Sequence, residues 1–231
     1  MSKPGRERDA EVAREAIIGA GEKVFAQKGF GSARIESIAQ ESGYNKSLIF
    51  HYFGDKEGLY QAVVERLKQR LQREYLEPLL LFVQSSDELN ATRVRLLLEM
   101  AISQCLAFLT SHPYNLQIMA WEAAEGWHTF MDGPPNELSQ QKASDLFIVN
   151  FLQKAKDAGI IHPTLDVKFL VMSMANLCIM HLLNVPRQRW LSSTEQTTLA
   201  DPPESLTYVR QQVLQLILHG VFTSSIEGTE R

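Results

Sequence analysis

Apolar residues recur along this chain at intervals of three and four, the period of helices that bury one face. Val12, Ile17, Ala20, Val24 and Phe25 share such a face, and Gly29 supplies a stop. A shorter stretch, 35–41, turns Ile35, Ile38 and Ala39 inward and ends at Ser42-Gly43. Asn45 is placed to cap a second short helix reaching about Phe53. Asp55 can cap a longer one through Leu59, Val63, Arg66, Leu67 and Leu71, with Pro78 as its end. Ser85 and Glu88 have capping-box spacing ahead of Val94, Leu97, Leu98, Ala101, Cys105, Phe108 and Leu109. His112-Pro113 breaks the pattern before a helix over 114–125, and the loop GWHTFMDGPP follows. An amphipathic helix over 137–158 stops at Gly159, and Asp166 precedes a strongly apolar one over 167–183. Prolines among polar residues make 185–204 a loop. A last helix over 205–222 aligns Leu206, Val209, Val213, Leu216, Ile217 and Val221, and the polar residues after it are expected to fray. No stretch alternates as a strand would. The pattern predicts an all-α protein of about nine helices, with the first three or four forming a head and the rest a larger body.

Composition agrees and narrows the class. With 231 residues, 45% hydrophobic and 22% charged, the chain suffices for one large domain or a small one joined to a mid-sized one. No apolar run approaches the ~20 residues of a bilayer span, so no membrane partner is expected. The first residues, MSKPGRERDAEVAREA, lack the apolar core of a signal peptide, which predicts a cytoplasmic protein. The two cysteines, Cys105 and Cys178, fall in apolar periodic stretches and read as small core residues, with no disulfide framework or Cys-based zinc site. No cofactor and no metal are expected. A total of 23 basic and 27 acidic residues weighs, at first, against a nucleic-acid partner.

The segment 35–53, IESIAQESGYNKSLIFHYF, qualifies that inference. A small residue, Ala39, lets two helices cross closely, Gly43 permits a positive φ in the turn, and Ile49 anchors the second helix. In a helix-turn-helix the second helix enters the major groove with its N-terminal residues nearest the bases. Those residues here are Asn45, Lys46, Ser47 and Leu48. Lys46 can donate to guanine O6 and N7, and Asn45 can pair with adenine if it points outward. By spacing alone, a helical hairpin with no DNA role fits equally well.

The wider motif favours DNA. Residues 10–60 resemble the DNA-binding head of the TetR family of bacterial transcriptional regulators. The resemblance rests on Gly29-Phe30, Ile38-Ala39, Gly43, Phe50-His51-Tyr52-Phe53, Lys56-Glu57 and Leu59. It implies a three-helix head at 1–60 and a ligand-binding and dimerisation body at 61–231. It also implies that Lys56 meets a DNA phosphate, that Tyr52 and His51 touch the backbone, and that Lys46, Ser47 and Leu48 face the groove, with Leu48 suited to a thymine methyl. Three positions depart from the family pattern. Arg34 stands where Thr is frequent, and Phe50 and Tyr52 where Tyr and His are frequent. Arg34 can replace a hydroxyl contact to phosphate, while Phe50 has lost one. Lys3, Arg6 and Arg8 form a basic tail diluted by Glu7, Asp9 and Glu11.

For the body, the run 169–183 is apolar nearly all round, as in a helix buried on two sides. It and the last helix are the expected homodimer interface, with Met172, Ala175, Ile179, Val213, Leu216 and Ile217 as candidates. The resemblance implies a ligand pocket as well, for which Met100, Phe108, Trp121, Glu122, Trp127, Phe130 and Phe151 are candidates. Aromatics with a carboxylate would suit a lipophilic or cationic small molecule. Glu122, Glu125 and His128 also have a spacing that a metal site could use, but Gly126 breaks their shared helical face. The expected function is a DNA-binding transcriptional regulator, a repressor released from double-stranded operator DNA by a small molecule. An activator, or a regulator answering to a protein partner, is the alternative. An enzyme is not expected, since no catalytic grouping or phosphate-cradling loop occurs, and a helical adaptor lacks positive support. Locally, the charge objection dissolves: between residues 44 and 56 the only acid is Asp55, against Lys46 and Lys56.

Overall fold

The caps and turns predicted from sequence set most helix boundaries. The structure, a computed structural model, describes residues 4–86, 88–132, 135–187 and 205–222; Lys3, most of the expected loop 185–204 and the residues after 222 lie outside these. Helix α1 spans Pro4–Ser32, and the stop expected at Gly29 takes the form of a break inside it, with φ 69° and ψ 168°. Helix α2 (Ile35–Ser42) and α3 (Lys46–Phe53) follow. Helix α4 spans Lys56–Leu71, capped as expected by Asp55, whose Oδ1 accepts from the Gly58 N–H at 2.8 Å. Gly58 is required there, because a Cβ would lie 2.1 Å from the Phe53 carbonyl oxygen.

Pro78 does not end this helical stretch. A π-helical turn over Gln72–Leu76 carries the chain into α5, Glu77–Gln84, with the proline in its first turn. Proline lacks an N–H and its ring collides with the carbonyl four residues back, so a widened turn upstream lets the helix continue. The expected capping box is also replaced. Helix α6 (Ala91–Ser111) is capped by Asn90, whose Oδ1 accepts from the Arg93 N–H at 2.8 Å. Then come α7 (Asn115–Ala124), the single turn α8 (His128–Met131), α9 (Pro135–Asp157), α10 (Val167–Leu183) and α11 (Leu206–Val221). Asp166 and Ser205 cap the last two by accepting from the N–H groups of Phe169 and Tyr208. Among the described residues there is no strand, only one bridge between Ile161 and Phe222. The fold is all-α.

The chain divides into two compact units: residues 1–70 with 112–134, and residues 71–111 with 135–231. The division differs from a boundary at residue 60, because α7 and α8 belong with the head. In the first unit, Ile17, Phe25, Ile38, Ile49, Leu59, Val63 and Leu67 make the core. The rings of Phe25, Phe30 and Tyr60 cluster within it, at centroid separations of 4.9, 5.1 and 6.3 Å. Helix α7 is held by the Trp121 indole N–H, which donates to the Ala26 carbonyl at 3.1 Å, and by the buried Glu122. In the second unit α6 packs against α5, α10 and α11, and α9 against α5 and α10. Helix α6, at 21 residues, is long and apolar enough to cross a bilayer, contrary to the expectation from sequence. Half of its apolar window is buried inside the protein, where Val94, Leu97, Leu98, Ile102 and Leu109 form a core face.

Candidate nucleic-acid interface

The geometry between α2 and α3 is that of a helix-turn-helix. Gly43 takes φ 75° and ψ 8°, and its N–H closes α2 on the Ala39 carbonyl at 3.1 Å. A side chain rarely adopts that left-handed conformation, which is why glycine stands at the turn. Ile38 and Ile49 are fully buried and clamp the two helices to the core; each such side chain is worth about 1.5–3 kcal/mol on burial.

What α3 leaves outward is a face of Lys46, Ser47, Phe50 and His51, all exposed. Leu48 is half-buried to one side of it, and Tyr52 is half-buried with its ring 5.4 Å from that of His51. Phe50 is 45% exposed, so a large aromatic sits on the recognition face. As a lost polar contact it carried little weight in the sequence; the 46, 47, 50, 51 spacing was the signal that places it outward.

Two expected contacts are modified. Asn45 Oδ1 accepts from the Leu48 N–H at 2.9 Å, so the amide is an N-cap. Paired reading of adenine needs that same oxygen. Lys46 Nζ lies 2.6 Å from Glu36 Oε1 on α2, and this hydrogen bond holds the Glu36 carboxyl below its ordinary value. Both groups are in solvent, where such pairs are weak and screened, so the lysine stays available to a stronger anion.

Lys56 is the larger departure. Its ammonium donates to the carbonyl oxygens of Phe30 at 2.9 Å, Ala33 at 3.3 Å and Gly31 at 3.5 Å, and stands 4.4 Å from the centroid of the Phe30 ring. These are the carbonyls at the C-terminal end of α1, where partial negative charge accumulates. The side chain clamps α1 to α4. Arg34, by contrast, is exposed at the start of α2, where its donor-only guanidinium cannot cap the helix.

Deeper in the same unit, polar groups fix the helices that carry this surface. The buried Glu22 on α1 takes Arg70 Nη2 at 2.6 Å and Arg66 Nη1 at 3.5 Å, and Arg66 also bonds Glu15. Burial, then the charges of Arg70 and Arg14, lowers the Arg66 pKa. Glu122 Oε1 accepts from the Tyr60 hydroxyl at 2.7 Å and its Oε2 from the Phe130 N–H at 2.8 Å. Burial and this bond push the Tyr60 phenol far above its ordinary value, so it remains a donor.

The seven candidate ligand residues are drawn from both units. Trp121, Glu122, Trp127 and Phe130 lie in the first unit, and Met100, Phe108 and Phe151 in the second. Glu122 is consumed by its two hydrogen bonds, and Trp121 packs against Gly29, within 3.2 Å of where a Cβ would stand. Trp127 takes the left-handed φ of 65° in the turn after α7 and meets Phe130 edge-on at 5.6 Å. Phe108 is core, and Met100 and Phe151 are half-buried. Among the described residues, no group of three or more ligating side chains could hold a metal.

The dimer candidates divide as well. Ile179, Val213 and Ile217 are buried within their own protomer, Ala175 is half-buried, and Met172 and Leu216 are each 67% exposed. The outward side of α10 carries Phe169, Met172, Leu177 and Met180.

Comparison with known proteins gives a consistent picture. Residues 17–63 match the family model described as bacterial regulatory proteins, tetR family. The HTH-type transcriptional repressor SCO4008 of Streptomyces coelicolor is 27% identical over 175 residues, covering 74% of this chain and 81% of that protein. The HTH-type transcriptional repressor NicS of Pseudomonas putida is 27% identical over 204 residues, covering 85% and 86%. The ketosteroid transcriptional regulator KstR2 of Mycobacterium tuberculosis shares the fold, with a TM-score of 0.59 at 18% identity over 91% of this chain and 95% of that one.

Proposed function

Since this chain belongs to the TetR family of bacterial transcriptional regulators, DNA-binding proteins that function as dimers on operator DNA, we propose that it is a homodimeric repressor released by a small molecule. The relatives are regulators, not enzymes, and SCO4008 and NicS are repressors. One observation carries the reading: the Gly43 turn and the Asn45 cap hold α3 with Lys46, Ser47, Phe50 and His51 outward. Lys46 and Ser47 read base edges, and Phe50 or the margin of Leu48 meets a thymine methyl. Arg34, His51 and Tyr52 position the head on phosphates.

A single head gives a small interface, and two on a near-palindromic site give affinity and register. We assign the dimer contact to the exposed apolar side of α10, Phe169, Met172, Leu177 and Met180, together with Leu206 and Leu216 of α11. Residues 61–231 supply the ligand response, through half-buried apolar side chains such as Met100 and Phe151. The ligand is lipophilic; with Glu122 committed to Tyr60 and Phe130, a cationic group has lost its expected partner. Ligand and operator then favour different conformations and oppose each other reciprocally, with α4 as the covalent path between ligand-binding and DNA-binding segments.

The test is titration of the purified protein against the DNA upstream of its own gene, across a series of salt concentrations. Saturable binding that weakens with salt is expected. Lys46→Ala should change the preferred operator by roughly 1–3 kcal/mol at one base pair. Binding that is equally weak on every sequence would reject the assignment.

A further inference from the structure

An acid stands against the end of α3 assigned to the bases. Glu36, in the first turn of α2, accepts through Oε1 from Lys46 Nζ at 2.6 Å. Both side chains lie in solvent, Lys46 51% and Glu36 61% exposed, so the pair is open to whatever meets this face. Holding the fold does not account for it, because exposed ion pairs contribute little to stability. A carboxylate here also repels DNA phosphates, which weakens every non-specific contact. The Lys46 bond keeps the carboxyl ionised, and an ionised carboxylate accepts hydrogen bonds without donating any.

We propose that Glu36 and Lys46 act as one reader of a G·C pair in fixed orientation, Lys46 on the guanine and Glu36 on the cytosine, which rests on the reading of α3 as the recognition helix. In the major groove guanine O6, an acceptor, sits beside the cytosine N4 amino group, a donor. A base-pair hydrogen bond joins these two atoms, so they lie about 2.9 Å apart. Lys46 Nζ and Glu36 Oε1 are a donor and an acceptor at 2.6 Å, the complement of that edge. Of the three ammonium N–H groups, one stays on Glu36 while the others reach O6 and N7. The N4 hydrogen not used in base pairing donates to the carboxylate. The ion pair therefore survives the contact, and each charge holds the other in register. Every other base pair leaves a conflict. The reversed C·G sets the carboxylate against O6 and the ammonium against N4. Adenine in the guanine place sets N6 against the ammonium and thymine O4 against the carboxylate. Thymine there offers O4 and adenine N6 correctly, but it takes N7 from Lys46 and brings it to Glu36.

The test uses the full-length protein to select duplexes from a pool with a randomised core. Each base pair of the enriched half-site is then varied singly in binding titrations. One position should demand G·C, with the reversed C·G weaker by about a hundredfold, within the range of a single mismatch. Glu36→Gln should cut that penalty to about tenfold, because the amide N–H groups can donate to O6 where the carboxylate is repelled. Non-specific affinity should rise in the same variant, with a salt slope steeper by about one as Lys46 turns to a phosphate. Glu41→Gln breaks a pair of equal length, between Lys23 on α1 and Glu41 on α2, and should leave the preference unchanged. If Glu36→Gln keeps the full C·G penalty, or Glu41→Gln reduces it equally, the inference is overturned. A wild-type half-site indifferent to the orientation of every G·C pair overturns it without recourse to a variant, and leaves α3 standing as the recognition helix. A pool that yields no preferred sequence overturns that reading of α3, and this inference with it.

Discussion

The surface formed by α2 and α3 and the pair α10–α11 are both amphipathic helical layers, yet they are held by different physics. Around α2 and α3 nearly every buried polar group has a specific partner: Lys56 on the end of α1, Glu22 between two arginines, Glu122 between Tyr60 and Phe130. These directional contacts fix where helices sit, and the outward face of α3 is left over to meet DNA. In α10 and α11 the inward-facing contacts are mainly apolar and non-directional, with polar caps at the helix ends. Val209, Val213, Ile217 and Val221 face inward while Phe169, Met172 and Leu216, equally apolar, face out. The first region specifies position with polar pairs; the second leaves an apolar surface to be covered.

That contrast predicts the greatest damage where a directional partner is removed. Arg70→Met leaves Glu22 buried with only the longer contact to Arg66. Stability should fall by about 3 kcal/mol, read by urea unfolding, because an uncompensated buried charge costs more than the pair itself gains. Replacing both residues, Glu22→Leu with Arg70→Met, should recover much of the loss. If the double variant is as unstable as the single, the pair is not what fixes α1 on α4.

In the apolar layer, burial and exposure should separate two effects that sequence cannot. Ile217→Ala should cost about 2–4 kcal/mol through transfer and cavity terms, with little change in self-association of the folded protein. Met172→Glu should leave monomer stability within about 0.5 kcal/mol, as for an ordinary surface change, yet dissociate the dimer in sedimentation at micromolar concentration. An unchanged dimer in the second variant would remove the exposed face of α10 from the interface.

The same contrast explains what was legible beforehand. Helix ends were readable because Asn45, Asp55, Asp166 and Ser205 cap by local chemistry that needs no tertiary information. The cap at Asn90 was displaced onto Ser85 because two polar residues offered competing starts, and the continuation past Pro78 depended on a widened turn that no residue type announces. In α10 the apolar residues cover all sides, so the 3.6 period carries no direction and could not tell Ile179 from Met172. Glu122 looked like a ligand group because a carboxylate among aromatics has that chemistry; Tyr60, 62 residues away, is the partner that consumes it.

Lys56 sharpens the comparison on the DNA side. Lys56→Met keeps the stem and loses the ammonium, so the three carbonyl contacts and the approach to Phe30 go with it. A loss of about 1–2 kcal/mol in stability is expected, the size of a charge-assisted hydrogen bond in partial solvent. Operator affinity should weaken while the slope of log K against log salt stays as in the wild type. A slope shallower by about one, with stability unchanged, would return the ammonium to a phosphate.

The smallest effect distinguishes most finely between holding a helix and reading a base. Asn45→Ala removes the acceptor for the Leu48 N–H and should cost about 1 kcal/mol, with α3 frayed at the end nearest DNA. Asn45→Ser restores a capping oxygen and removes the amide, so stability should return to within a few tenths of a kcal/mol. Operator preference should then match the wild type, because the oxygen that adenine would need was already committed to the helix. Were the serine variant stable but altered in preference at a single A·T pair, Asn45 would have to release Leu48 on binding DNA, and the cap would be a feature of the free protein alone.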